Sequence, residues 1–262
     1  LHLRRFRRED GLYFTDALGC GMDELPRTPY GMPESEKPKG GIVPTKDSIM
    51  PYAQTDWRVK NLQKNAGHLS WNRQIGWIDT TSQVALDCLC LAEIAEALGR
   101  GDEADQWRKE HAELKDLVNR TCWNEELGFY CDRYGDGTIP RRHAGAFWTL
   151  IARLATPDRA ERMAAALRDP ELFARPVPVP CLPKSDPDYR PETGYWCGGV
   201  WAPTNYMIIR GLLAYGYGDL AESIARAWYN ANVSLWKRYG TVFENMSPEQ
   251  RTTKRDWADR DF

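Results

Sequence analysis

The run Thr80-Thr81-Ser82-Gln83-Val84-Ala85-Leu86-Asp87-Cys88-Leu89-Cys90-Leu91-Ala92-Glu93-Ile94-Ala95-Glu96-Ala97-Leu98-Gly99 decides the reading of the fold. Val84, Leu86, Cys88, Leu89, Leu91, Ile94, Ala95 and Leu98 leave almost no polar face before Gly99, which predicts a helix buried nearly all round. The segment that follows, 103–119, has a different period. Ala104, Trp107, His111, Leu114 and Val118 fall at three- and four-residue steps among Lys, Glu and Asp, the pattern of an amphipathic helix with one wet side.

The alternation recurs along the chain. Ala144–Ala155 is mostly apolar and is followed by Thr156, an N-cap residue, Pro157 at the first helical position, and the stripe Ala160, Met163, Ala164 and Leu167. Val200–Tyr215 is again mostly apolar, and Leu220, Ile224, Trp228, Ala231 and Leu235 form the next stripe. Buried helices paired with half-exposed ones are what a toroid or solenoid of helical hairpins requires, because each hairpin must bury its inner helix against neighbours. An unrelated helical bundle fits the periodicity alone equally well. Gly- and aromatic-rich loops, 122–130 after one outer helix and 194–201 before one inner helix, favour the toroid, since they would line its central funnel. Between them, 170–193 carries Pro176, Pro178, Pro180, Pro183 and Pro187 and reads as a long extended connection, while 11–44 reads as irregular loops.

The chain has 262 residues, 42% of them hydrophobic, enough for a substantial core. Its 35 basic and 37 acidic residues are interspersed, which gives no electrostatic footprint for nucleic acid or an anionic membrane. The expected partner is a neutral or weakly charged small molecule. The seven Cys make neither a CxxC pair nor a zinc spacing with His, so reduced cytoplasmic thiols are expected and no metal or other cofactor is implied. Residues 1–8 are basic without the apolar centre of a signal peptide, and no apolar run approaches the ~20 residues of a membrane span.

The acids that matter chemically are those in turns. Asp23 lies in Gly19-Cys20-Gly21-Met22-Asp23-Glu24-Leu25-Pro26-Arg27, and Glu244 in Phe243-Glu244-Asn245-Met246-Ser247-Pro248-Glu249. Glycosidic hydrolysis needs one carboxylic acid to protonate the departing oxygen and one carboxylate opposite it. Glu24 beside Asp23, and the apolar Met22 and Leu25, push Asp23 toward its protonated form. The competing readings are a turn cap for Asp23 and a turn-stabilising acid for Glu244. Tyr195, Trp196 and Trp201 offer rings for the C–H faces of a pyranose, and Asn205, Gln83 and Arg27 offer hydrogen bonds to hydroxyls. Trp201 also suits a core position, since it opens a buried segment. Nucleophile-elbow, phosphate-loop and dinucleotide motifs are absent, and the four His are dispersed, which disfavours epimerase chemistry on the same scaffold.

Taken together, 21–27, Asp79-Thr80-Thr81-Ser82-Gln83, 194–205 and 243–249 resemble the trehalase-like hydrolases of glycoside hydrolase family 63, most of all the bacterial mannosylglycerate hydrolase group. The resemblance implies an all-α (α/α)6 barrel of six hairpins. It also implies an inverting glycosidase acting on a small α-linked glucoside or mannoside, with Asp23 as general acid, Glu244 as general base, and Tyr195, Trp196 and Trp201 as pocket aromatics. Six hairpins need roughly 400 residues. Residues 1–262 are therefore expected to be part of a single (α/α)6 catalytic domain, without its N-terminal hairpins and closing C-terminal helix. A non-catalytic carbohydrate-binding fragment of the same toroid is the alternative.

Overall fold

Three chain reversals are built alike. Leu98 follows a helix, Ile78–Ala97 (α1), and the Gly99 N–H bonds the Glu96 carbonyl while the Arg100 N–H reaches back to Ala95. This 5→2, 6→1 pair is the Schellman arrangement, which needs a left-handed residue at Gly99 (φ 72°). Gly216 (φ 82°) repeats it after Ala202–Ala214, with its N–H on Leu213 and that of Tyr217 on Leu212. Arg153 (φ 54°) does the same between Leu150 and Thr149. Each reversal leads into an amphipathic helix: Gly101–Thr121 (α2), Pro157–Arg168 and Gly218–Tyr239.

The computed structural model describes residues 6–15, 20–22, 25–28, 30, 74–192 and 194–249. The chain falls into two units, Leu1–Arg141 and Arg142–Phe262. In the first, α1 packs along α2, which buries Ala104, Leu114 and Val118 of the expected stripe. Short strands follow, numbered from Ile75–Gly76 (β1): Trp123–Asn124 (β2) and Phe129–Tyr130 (β3) form a hairpin, and Arg133–Tyr134 (β4) pairs with both β1 and Gly137–Thr138 (β5). The segment 12–14 lies against the start of α1. Trp77 N donates to the Tyr13 carbonyl at 2.8 Å, and Tyr13 N donates to Thr81 Oγ1 at 3.0 Å.

The second unit begins with a 3₁₀ turn, Ala144–Phe147, running into the short helix Trp148–Ile151 (α3), then Pro157–Arg168 (α4). The strand Val200–Trp201 (β6) precedes Ala202–Ala214 (α5) and Gly218–Tyr239 (α6), and Asn245–Met246 (β7) returns antiparallel to β6. The stripe Ala160, Met163, Ala164 and Leu167 is buried as expected.

Three sequence expectations are corrected. α1 is not buried all round: Leu91, Ile94 and Leu98 are exposed. Hydropathy reports that a face is suited to burial, whereas the packing partner decides whether it is buried, and α1 packs chiefly on α2. Val200 and Trp201 form a strand rather than the first turn of a helix, because β7 supplies a ladder partner and Pro203 fits the first turn of α5. The apolar Ala144–Ala155 segment makes only a 3₁₀ turn and one helical turn before the left-handed Arg153 stops it.

Candidate active site

The loop that carries Glu244 has a packing contact upstream and a two-residue ladder downstream. Upstream, Phe243 packs beside a buried cluster of Val177, Val200, Ala231, Leu235 and Met246, and its ring stands edge-on to Tyr239 at 5.5 Å. Downstream, Asn245 and Met246 pair with Trp201 and Val200. Glu244 sits between these anchors with its side chain exposed. Its chain neighbour Asn245 is the register partner of Trp201, so the structure brings Glu244 to the edge of the aromatic cluster.

Within that cluster Trp196 and Trp201 stack with centroids 3.7 Å apart and planes 6° from parallel. Tyr195 stands edge-on to them at 6.0 and 4.8 Å, and its carbonyl accepts the Trp201 indole N–H at 3.3 Å. Tyr195 holds φ 46°, a left-handed backbone that a bulky residue adopts only where its surroundings enforce it. The two indoles spend a face on each other and are 6% and 3% exposed, so Tyr195, half-buried, is the ring with surface left for a ligand. Asn205, also buried, donates from Nδ2 to the Trp201 carbonyl at 3.1 Å, while its Oδ1 is buried with no hydrogen-bond partner among the described residues.

Close backbone approach makes this cluster possible. A Cβ on Gly199 would lie 2.4 Å from the Tyr195 carbonyl oxygen and 3.1 Å from Trp201 Nε1. Gly199 also accepts a hydrogen bond from Cys181 N at 3.1 Å, and Pro180 bridges to Val200. Burial pushes the Cys181 thiol well above the ordinary range, which keeps it protonated and inert. The proline-rich connection thus lies alongside β6 as part of the site's frame.

In the first unit, Arg27 is the centre of a buried ion cluster. Its Nη1 donates to both oxygens of Asp132 at 3.1 and 2.9 Å, its Nη2 donates to Asp79, and its guanidinium lies 3.9 Å from the Trp77 ring centroid. Burial disfavours the charge, but Asp79 and then Asp132 more than offset it, so the Arg27 pKa is raised. Asp132 also caps α1 by accepting from Ile78 N at 2.9 Å. Gln83 stands one helical turn beyond Asp79 and is half-buried. Asp23 and Glu24 lie outside the described residues.

Sequence reasoning did not single out Asp132 or Trp77 as partners of Arg27, nor Arg175 and Tyr189 as partners of Glu249. These contacts span 105, 74 and 60 positions for Asp132, Arg175 and Tyr189, and no local pattern marks them. Among the described residues no group of three or more His, Cys, Asp or Glu is arranged to hold a metal ion, and no helix is long and apolar enough to cross a membrane.

Comparison with known proteins gives the scaffold a family. The mannosylglycerate hydrolase MGH1 of Selaginella moellendorffii is 32% identical over 131 residues, 49% of this chain and 25% of that protein. The chain spans well under half the length of the curated relatives it matches. Among solved structures, the family 63 mannosylglycerate hydrolase from Thermus thermophilus in complex with glucose superposes with a TM-score of 0.57 at 21% identity, covering 76% of this chain and 47% of its own. Neutral trehalase Nth1 from Saccharomyces cerevisiae gives a TM-score of 0.58 at 21% identity, covering 71% and 36%. The helical hairpins are those of the (α/α)6 barrel. The family described as the mannosylglycerate hydrolase MGH1-like glycoside hydrolase domain matches residues 1–261, and the chain belongs to that trehalase-like family of glycoside hydrolases.

Proposed function

We propose that this chain carries the acid and base of an inverting glycosidase that hydrolyses a small α-linked glucoside or mannoside in the cytoplasm. Glu244 serves as the general base and Asp23 as the general acid. The supporting observation is the position of Glu244, exposed next to the residue that pairs with Trp201 in the aromatic cluster. A carboxylate there draws a proton from water while Tyr195 offers a ring to the sugar's C–H face. Trp196 and Trp201 meet that ring edge-on and hold it in place. Gln83, half-buried on α1, offers a carboxamide, and Arg27 is tied to α1 through Asp79. In an inverting enzyme the two carboxyls stand roughly 6.5–9.5 Å apart so that water fits beneath the anomeric carbon.

The test uses the product of the complete reading frame with α-mannosylglycerate, α-glucosylglycerate and α-linked disaccharides, following the first-formed anomer by proton NMR. Release of the β-anomer, abolished in Asp23→Asn and in Glu244→Gln, is the expected result. First release of the α-anomer, or turnover that survives either substitution, rejects the assignment. Binding of these sugars by the wild type without any turnover would leave a carbohydrate-binding role instead.

A further inference from the structure

The proline-rich connection between α4 and β6 reads in sequence as a spacer, yet it grips the Glu244 loop from two directions. Arg175, near its start, donates from Nε to Glu249 Oε1 at 2.8 Å and from Nη2 to Oε2 at 2.6 Å, a fork-to-fork pair. Tyr189, near its end, donates from its hydroxyl to the same Oε1 at 2.7 Å. The side chains of Arg175 and Glu249 are 12% and 13% exposed, so the pair is largely removed from water. The remaining arm of the guanidinium is also occupied: Nη1 donates to the Pro170 carbonyl at 2.6 Å.

The grip continues along the backbone. Val177 N donates to the Pro248 carbonyl at 2.9 Å, Glu249 N donates to Ser247 Oγ at 3.2 Å, and the Val177 side chain joins the buried cluster with Met246. β7 is only two residues long, which is little on its own to fix a loop against solvent. Glu249, which no ladder bond holds, is instead tied to two points 14 positions apart on one connection. Burial, then the Glu249 carboxylate, pushes the Tyr189 hydroxyl up, so it stays a donor at physiological pH.

We propose that Arg175 and Tyr189 are positioning residues: through Glu249 they set the place of the loop that carries the Glu244 base. The proposal rests on the reading of Glu244 given above. It assigns Glu249, the second acid of the loop, to holding the site rather than to proton transfer. Besides its ladder with Asn245 and Met246, the aromatic cluster has anchors that do not pass through Glu249, Cys181 N to the Gly199 carbonyl and Arg190 N to the Cys197 carbonyl. Loosening the grip therefore displaces the base more than the sugar platform, which keeps these other anchors.

The experiment compares Tyr189→Phe, Arg175→Met and Arg175→Lys with Glu244→Gln, all in the product of the complete reading frame, on the substrate of the panel that the wild type turns over. Tyr189→Phe, which keeps the ring and removes one hydrogen bond to a charged group, lowers kcat about tenfold. Arg175→Met, which releases the loop more fully, lowers it about 100-fold. KM stays within about twofold for both, and Arg175→Lys recovers part of the loss because it restores charge without the fork. Amide exchange across 243–249 rises in Arg175→Met whether or not a substrate has been found. Unchanged kcat in Tyr189→Phe and Arg175→Met, a higher KM at unchanged kcat, or unchanged exchange across 243–249 overturns the proposal. Turnover that survives Glu244→Gln instead overturns the assignment of the base, and the exchange result then judges the grip on its own.

Discussion

Replacing Arg27 by Met separates two roles for that residue. Its guanidinium is shared among two carboxylates and the face of Trp77, and the side chains of Arg27, Asp79 and Asp132 are 2%, 0% and 2% exposed. Methionine fills much of the same volume but leaves both carboxylates buried without a counter-charge. Breaking a buried ion pair by removing one partner costs about 3–5 kcal/mol. For a chain of this size each kcal/mol moves the midpoint by roughly 2–4 °C, so Tm should fall by roughly 6–20 °C. Arg27→Lys should lie between, since one ammonium cannot reproduce the fork onto Asp132 and the contact with Asp79 together. The assay is thermal unfolding followed by circular dichroism, with steady-state kinetics on the folded protein at low temperature. A Tm within roughly 2 °C of wild type, combined with a raised KM, would refute the reasoning and return Arg27 to a direct contact with sugar hydroxyls.

Gly199→Ala forces a Cβ to within 2.4 Å of the Tyr195 carbonyl, which is backbone and cannot swing away. The expected cost is about 1–3 kcal/mol, visible in urea unfolding, together with a raised KM as Tyr195 leaves its edge-on place beside the indoles. Burial pushes the Tyr215 hydroxyl from 10.0 up to about 12, and it donates to the Ala155 carbonyl at 2.8 Å. A folded pKa above the unfolded one favours the native state fully below pH 10.0, and this contribution is lost as pH rises through about 12. Tyr215→Phe should therefore flatten the fall of Tm over that alkaline window, and an unaltered slope would count against the assignment.

Much of the scaffold was legible in the chain itself. Gly99 and Gly216 stand where apolar segments give way to amphipathic ones, and the structure uses both as left-handed helix stops. The stripes of α2, α4 and α6 fell where the three- and four-residue spacing put them, because a 3.6-residue period depends on neighbours along the chain. The third stop was not legible. Arg153 carries no glycine signal, and the cap forms there because Thr149 and Leu150 supply its carbonyls.

For the candidate site, the sequence by itself determined which residue types are present, that Glu244 lies in a turn, and that rings crowd between 195 and 201. Only the tertiary structure decided what each is used for. Trp196 and Trp201 became a stack with little exposed face, Arg27 a buried ion held by carboxylates from two distant segments, and the proline-rich spacer a bracket on Glu249. The reason is physical. Periodicity and turn chemistry are local and leave a trace in neighbouring residues, whereas burial, ion pairing and the pKa of a side chain depend on groups brought together across tens of positions. A carboxylate acquires its role from the partners that surround it, and those partners are chosen by the fold.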